Sequence, residues 1–149
     1  MRHRPLDPDF AARVRESFAR QVVMKTLGAE LTAVEPGQAV VELPFRADLA
    51  QQHGFLHAAI VTAIVDSACG YAALTLMPKG AAVLTVEYKV NFLAPAAGSR
   101  FVARGRVARA GRTLTVCTGE VLAHDGDAES AVATMLATMM AVTGRGIAD

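Results

Sequence analysis

The chain has 149 residues, of which 52% are apolar and 19% charged, so it is globular and large enough to bury a real core within one domain. Its net charge of +1, with Lys and Arg scattered, gives no electrostatic footprint for nucleic acid or an anionic membrane. Two cysteines, Cys69 and Cys117, lie in apolar segments without metal-ligand spacing and read as reduced core thiols of a cytoplasmic protein. The N-terminal "MRHRPLDPDFAARVRESF" lacks the apolar stretch of a secretory signal.

In "DPDFAARVRESFARQVVMKTLG", Asp and Pro open the segment and Gly28 closes it. Phe10, Val14, Phe18 and Val22 recur every four residues, which predicts one amphipathic helix. Residues 1–27 thus form a helix and arm, and 28–142 form the core of a single domain. "AELTAVEPGQAVVELPF" reads as two strands joined at Pro36-Gly37, and "RADLAQQHGFL" as a loop. A long apolar helix is expected from His57 to Met77, broken by "PKGAA". It is nearly long enough to cross a bilayer, yet it carries Asp66, Gly70 and many small residues, and amphipathic strands follow. A helix that is apolar all round also suits the centre of a core, and no membrane partner is expected.

Beyond the helix the period changes to two. In "LTVEYKVNFL", Val86, Tyr88, Val90 and Phe92 alternate with Thr85, Glu87, Lys89 and Asn91. "SRFVARGRVARAGRTLTVCTGEVLAHDGD" reads as a hairpin turning at Ala110-Gly111, with a second turn at Asp125-Gly126. "AESAVATMLATMMAV" has a helical composition, but its place after two hairpin strands makes it the last strand. The order predicts an α+β domain: an antiparallel sheet wrapped around a long central helix, with an N-terminal helix and a second subunit covering what remains exposed.

Asp66 is the lone acid in the long apolar run, and burying a carboxylate costs several kcal/mol unless a partner or a shifted pKa offsets it. His57 lies nine positions upstream; at about 100° per residue the two project from roughly opposite faces, about 13 Å apart along the axis. They can serve one site only across an interface, as in a two-fold dimer. "GFLHAA" leaves the first helical N–H groups, near Ala58 and Ala59, free to hold a developing oxyanion. A carboxylate in apolar surroundings is suited to act as general base or nucleophile. The structural alternative is that Asp66 bonds to core groups and His57 merely starts the helix.

This segment and the strand after it resemble the hotdog-fold acyl-CoA thioesterases, in particular their phenylacetate-pathway (PaaI-type) branch. That family carries Asn, then Gly three residues on, then His-Gly-Gly three further, then Asp nine after the His. Gly54, His57 and Asp66 match in type and spacing; Gln51 stands at the Asn position and Ala58-Ala59 replace the two glycines. "LTVEYKVNFLAPAAG" resembles the family's following strand and turn, with Thr85 where Ser or Thr is common. The resemblance covers about residues 30 to 142. It implies an acyl-CoA thioester substrate, with coenzyme A as part of that substrate, no metal and no separate cofactor, and a homodimer or dimer of dimers. It also implies that Asp66 activates water or attacks the thioester carbon, and that the Ala58 N–H with Gln51, or else Gln52, holds the carbonyl oxygen. His57 would orient that corner, Thr85 would position the water or Asp66, and Gly54 would contact substrate. Phe55 is expected to contact substrate on the residues themselves, since a helical face rich in Ala and Ile, with Met77 and Phe55 near its ends, suggests an apolar acyl or aryl pocket.

Other candidates are weaker on the same grounds. His53 reads as a loop residue, His3 and His124 as surface, and Cys69 as core because no histidine follows on its helix face. Arg106, Arg109 and Arg112 flank a hairpin turn and suit phosphate equally well as solvent. The elements of hotdog hydratases and dehydratases, Asp-x-Asn-Pro-x-x-His or a His-Phe-Pro loop, do not occur. A non-catalytic acyl-CoA-binding protein on the same fold is the alternative from another class.

Overall fold

The structure, a computed structural model, describes residues 3–149. Helices α1 (Phe10–Arg20) and α2 (Val22–Leu27) lead into strands β1 (Glu30–Glu35) and β2 (Gln38–Pro44). A short helical turn, Ala47–Leu49, precedes α3 (Ala58–Leu74). Strands β3 (Ala82–Phe92), β4 (Arg100–Ala110), β5 (Leu114–Asp125) and β6 (Ala128–Val142) follow. All six strands form one antiparallel sheet in the order β1-β2-β4-β5-β6-β3, wrapped around α3. This is the expected hotdog architecture, and the ambiguous last segment is a strand.

α3 is apolar on nearly every face because the sheet meets it from several sides. Ile64, Val65, Ala68, Cys69, Ala72 and Ala73 are all fully buried. Close approach is possible because two strand positions facing the helix are glycines. A Cβ on Gly105 would collide with the backbone of Ala68 and Cys69, and one on Gly119 would press on Val65 and Cys69. The far end of α3 is held from outside: the Arg13 guanidinium donates to the carbonyls of Leu74, Met77 and Pro78 at 3.0, 2.9 and 2.6 Å. These are carbonyls that a helix end and its following turn otherwise leave unpaired. The helix therefore stops at Leu74, and residues up to Met77 continue as turn.

The N-terminal segment departs from the single helix its period predicts. At Gln21 the backbone is extended, with ψ 96°, and its N–H bonds back to Phe18 O at 3.0 Å. Val22, which the four-residue period places with Val14, is 72% exposed, while Met24 and Leu27 point inward. The break re-phases the chain, so that α2 buries its own two apolar residues and ends on Gly28 at φ +76°.

The strict alternation expected in β3 also fails at one point. A bulge between Thr85 and Glu87 inserts an extra residue, so the phase changes there. Thr85 consequently shares the helix-facing side with Tyr88, Val90 and Phe92 instead of with Glu87, Lys89 and Asn91. Glu87 turns to the outer face, where its carboxylate accepts from Thr138.

Candidate active site

Asp66 lies midway along α3, half-buried, and its Oδ1 accepts a hydrogen bond from Thr85 Oγ1 at 2.9 Å. Among the described residues this is its one side-chain partner, so the core does not satisfy it as the structural alternative required. Burial pushes its pKa above the ordinary carboxylate value, and the Thr85 hydroxyl, by bonding the charged form, works against that rise. The result is a carboxylate of raised basicity with one oxygen anchored.

The N-terminus of α3 is built differently from a bare helix end. His57 is the N-cap, and its Nδ1 accepts from the Ala59 N–H at 2.9 Å. That geometry puts the ring proton on Nε2. His57 O accepts from Ile60 and Val61, while the Ala58 N–H has no partner among the described residues. The two-donor terminus expected around Ala58 and Ala59 is thus reduced to one free donor, because His57 takes the other.

Gln51 closes the preceding loop. Its backbone exchanges bonds with Gly54 and Phe55, and its Oε1 accepts from His53 N. Gly54 takes φ +85°, a left-handed conformation that glycine adopts freely. Gln51, Phe55 and Ala58 open together onto a mostly apolar cavity of about 500 Å³, completed by Phe92, Leu93 and Pro95. A groove of about 430 Å³ then runs along α3 and β3 from Ala58 and Ala59 to Asp66, under Tyr88, Val90 and Phe92.

Two candidate half-sites result. Asp66 and Thr85 make up one; Gln51, Phe55 and Ala58 line the other, with Gly54 and His57 adjoining them in the loop and at the helix cap. Ala58 and Asp66 are eight positions apart on α3, about 12 Å along the axis, so one chain cannot bring both to a single carbonyl. Gln52 and His53 are exposed beside the loop.

The remaining candidates fall outside these half-sites. Cys69 and Cys117 are fully buried and unpaired as a disulfide, and burial raises both thiols, Cys117 to about 12. A thiol held so far from ionisation is no nucleophile. His124 is not a surface residue: it is mostly covered, 3.4 Å from Glu129. His3 packs on Gly37 and reaches Val107 O. Arg106 is bound to Gln38 on the outer face of the sheet. Sequence reasoning missed Tyr88 and Phe92 as groove residues and missed the contribution of Gln21 and Ser67 near Asp66. The first depends on the bulge and the second on the helix break, neither of which has a local signature.

Residues 53–130 match the thioesterase superfamily. A protein of Saccharolobus solfataricus that carries an esterase name is 36% identical over 104 residues, covering 70% of this chain and 74% of that one. The crystal structure of a thioesterase family protein from Silicibacter pomeroyi superposes with a TM-score of 0.89 at 56% identity, covering 91% of this chain and 99% of that one. The E. coli PaaI protein of the phenylacetic acid degradation operon shares the fold, with a TM-score of 0.82 at 21% identity, covering 93% and 97% of the two chains.

Proposed function

Because the chain belongs to the thioesterase superfamily, we propose that it hydrolyses acyl-CoA thioesters in the cytoplasm, in sites shared between two copies. The observation that carries this reading is the Asp66 carboxylate, anchored by Thr85 at the end of a groove that leads to the free Ala58 N–H. β3 is the edge strand of the sheet and exposes Leu84, Val86, Tyr88 and Phe92. An exposed apolar edge is a template for pairing. Antiparallel pairing of two such edges brings the α3 N-terminus of one copy toward Asp66 of the other.

In that arrangement the thioester oxygen accepts from the Ala58 N–H, aided by the positive end of α3 and by the Gln51 amide. His57 holds the corner by capping the helix, while Gly54 and Phe55 shape the entry. Water adds to the carbonyl carbon as Asp66 takes its proton; the C–S bond then breaks and the proton passes to the departing thiolate. Alternatively, Asp66 forms the C–O bond itself as the C–S bond breaks and the thiolate leaves; water then cleaves the resulting anhydride, restoring the Asp66 carboxylate and giving its proton to the thiolate. Both routes need the carboxylate form and neither draws on a metal or separate cofactor.

Ala58 and Ala59 place methyl groups in the groove, which favours a second reading: an acyl-CoA-binding protein without turnover. Thiol release from acetyl-, hexanoyl-, palmitoyl- and phenylacetyl-CoA separates the two. Hydrolysis that falls about 10²–10⁴-fold in a correctly assembled Asp66→Asn protein is the expected result. Binding without hydrolysis, equal in both proteins, would establish the second reading.

A further inference from the structure

Each of the last four carbonyls of α2 has a donor. Ala29 N donates to Met24 O at 2.9 Å and Gly28 N to Lys25 O at 3.1 Å, the Schellman pattern that a left-handed glycine allows. Thr26 O and Leu27 O both accept from Nη1 of Arg46, at 2.9 and 3.1 Å. The rest of that guanidinium faces the other way. Its Nε and Nη2 donate to the two oxygens of Asp48 at 3.1 and 2.6 Å. The Arg46 hydrogen bonds hold the Asp48 carboxyl below the ordinary aspartate value. Arg46 thus joins the end of α2 to the short helical turn Ala47–Leu49, which no side chain caps.

That turn lies directly behind the start of α3. Leu49 O accepts from His57 N at 3.0 Å, and Ala50 bridges to Leu56, so the turn carries the segment that enters the helix. His57 is held at three points. Its ring accepts from Ala59 N and its carbonyl from Ile60 and Val61, bonds that lie within the helix start and turn with it. The bond to Leu49 alone ties His57 to a different part of the chain. The Ala58 N–H lies in the His57–Ala58 peptide plane, so its direction follows from how His57 is held. An exposed ion pair by itself adds little to stability, and the Arg46 and Asp48 side chains are 40% and 65% exposed. What this pair supplies is position.

Resting on the thioesterase reading, we propose that Arg46 is a positioning residue for hydrolysis: it clamps the Ala47–Leu49 turn to α2 and, through Leu49 and His57, aims the Ala58 N–H at the thioester oxygen. Arg46 lines neither the groove nor the cavity on which Ala58 opens, so it acts only through these bonds. Its effect belongs to the transition state. The oxygen gains charge as water or Asp66 adds, and a displaced donor costs most at that moment.

Arg46→Gln removes both the charge and the fork of donors, whereas Arg46→Lys keeps the charge and removes the fork. Both should lower kcat by about ten-fold on the esters that the wild type hydrolyses, with KM held within about two-fold. The acid limb of the pH–rate profile belongs to Asp66 and should stay in place, and Tm should change little. Asp48→Asn loosens the exposed side of the same pair and should show the same pattern; it replaces any Arg46 variant that sedimentation finds misassembled. Full kcat in these variants overturns the proposal, and so does a loss that appears in KM or moves the acid limb. Amide hydrogen exchange followed by NMR reads the clamp without turnover. Exchange at His57 should speed up by about ten-fold, while Val65 and Ala68 in mid-α3 keep their wild-type protection. Unchanged exchange at His57 overturns the clamp whatever the kinetics. If the wild type hydrolyses none of the esters, the thioesterase reading fails, and exchange alone decides whether Arg46 holds the start of α3.

Discussion

Two opposing influences act on Asp66. Burial favours its neutral form, and the Thr85 hydroxyl favours the charged form. Catalysis by either route needs the carboxylate, so kcat/KM should fall as pH drops through a pKa lying above the ordinary 3.8 of an aspartate. Replacing Thr85 by Val removes the hydrogen bond that stabilises the charge, and the acid limb of the pH–rate profile should move to higher pH. An unmoved limb in Thr85→Val would mean that Thr85 does not tune the carboxylate. The linkage to stability has the opposite sense from a salt-bridged acid. A folded-state pKa above the unfolded value means the folded chain binds more protons. Stability is therefore lost as pH rises from the unfolded value through the folded one, and the full cost persists above it. Asp66→Asn should accordingly raise Tm at neutral pH, with the gain vanishing below pH 3.8. At this scale much was legible: a lone acid in an apolar run announces itself, and His57 three residues after Gly54 marks the start of the helix. That His57 would consume the Ala59 N–H was not legible, because a histidine cap depends on a side-chain rotation that spacing does not encode.

Elements show how helix and sheet constrain one another. Gly105 and Gly70 are both glycines within regular structure, and their expected substitutions have opposite signs. Alanine at Gly105 would drive a methyl group into the Ala68 carbonyl region, forcing α3 off the sheet at a cost of about 1–3 kcal/mol. Alanine at Gly70 points into open space and should stabilise by about 0.5–1 kcal/mol. Chemical denaturation of the two variants, with midpoints compared at equal slope, checks both signs. The helix and strand series was readable from period and punctuation, since Gly28, Pro36-Gly37 and the change to period two all mark real boundaries. The break at Gln21 and the bulge after Thr85 were not. Each preserves a locally plausible pattern while shifting its phase, and phase is settled by what the element packs on.

The whole molecule leaves an edge unfinished. β3 ends the sheet, and Tyr88 and Phe92 are 48% and 49% exposed, more than an isolated chain gains from leaving in water. Sedimentation should therefore find a dimer or a multiple of it. Val86→Asp, which places a charge at the bulge of the pairing edge, should dissociate it and abolish turnover together. A monomeric Val86→Asp protein that retains full kcat would show that each chain holds a complete site. Such an outcome would contradict the 12 Å that separate the two half-sites along α3.

Residue types and spacing alone determined the central helix, the number of the strands and their succession along the chain, and the roles open to Asp66 and His57. These are local properties, written in hydrophobic period, in turn residues and in the cost of burying a charge. The order of the strands within the sheet came from the tertiary structure. Tertiary structure alone also decided which side of β3 Thr85 faces, where α1 gives way to α2, and that Gly70 faces open space. Each of those depends on contacts between segments distant in the chain, and a one-residue shift of phase in either segment would have reversed them.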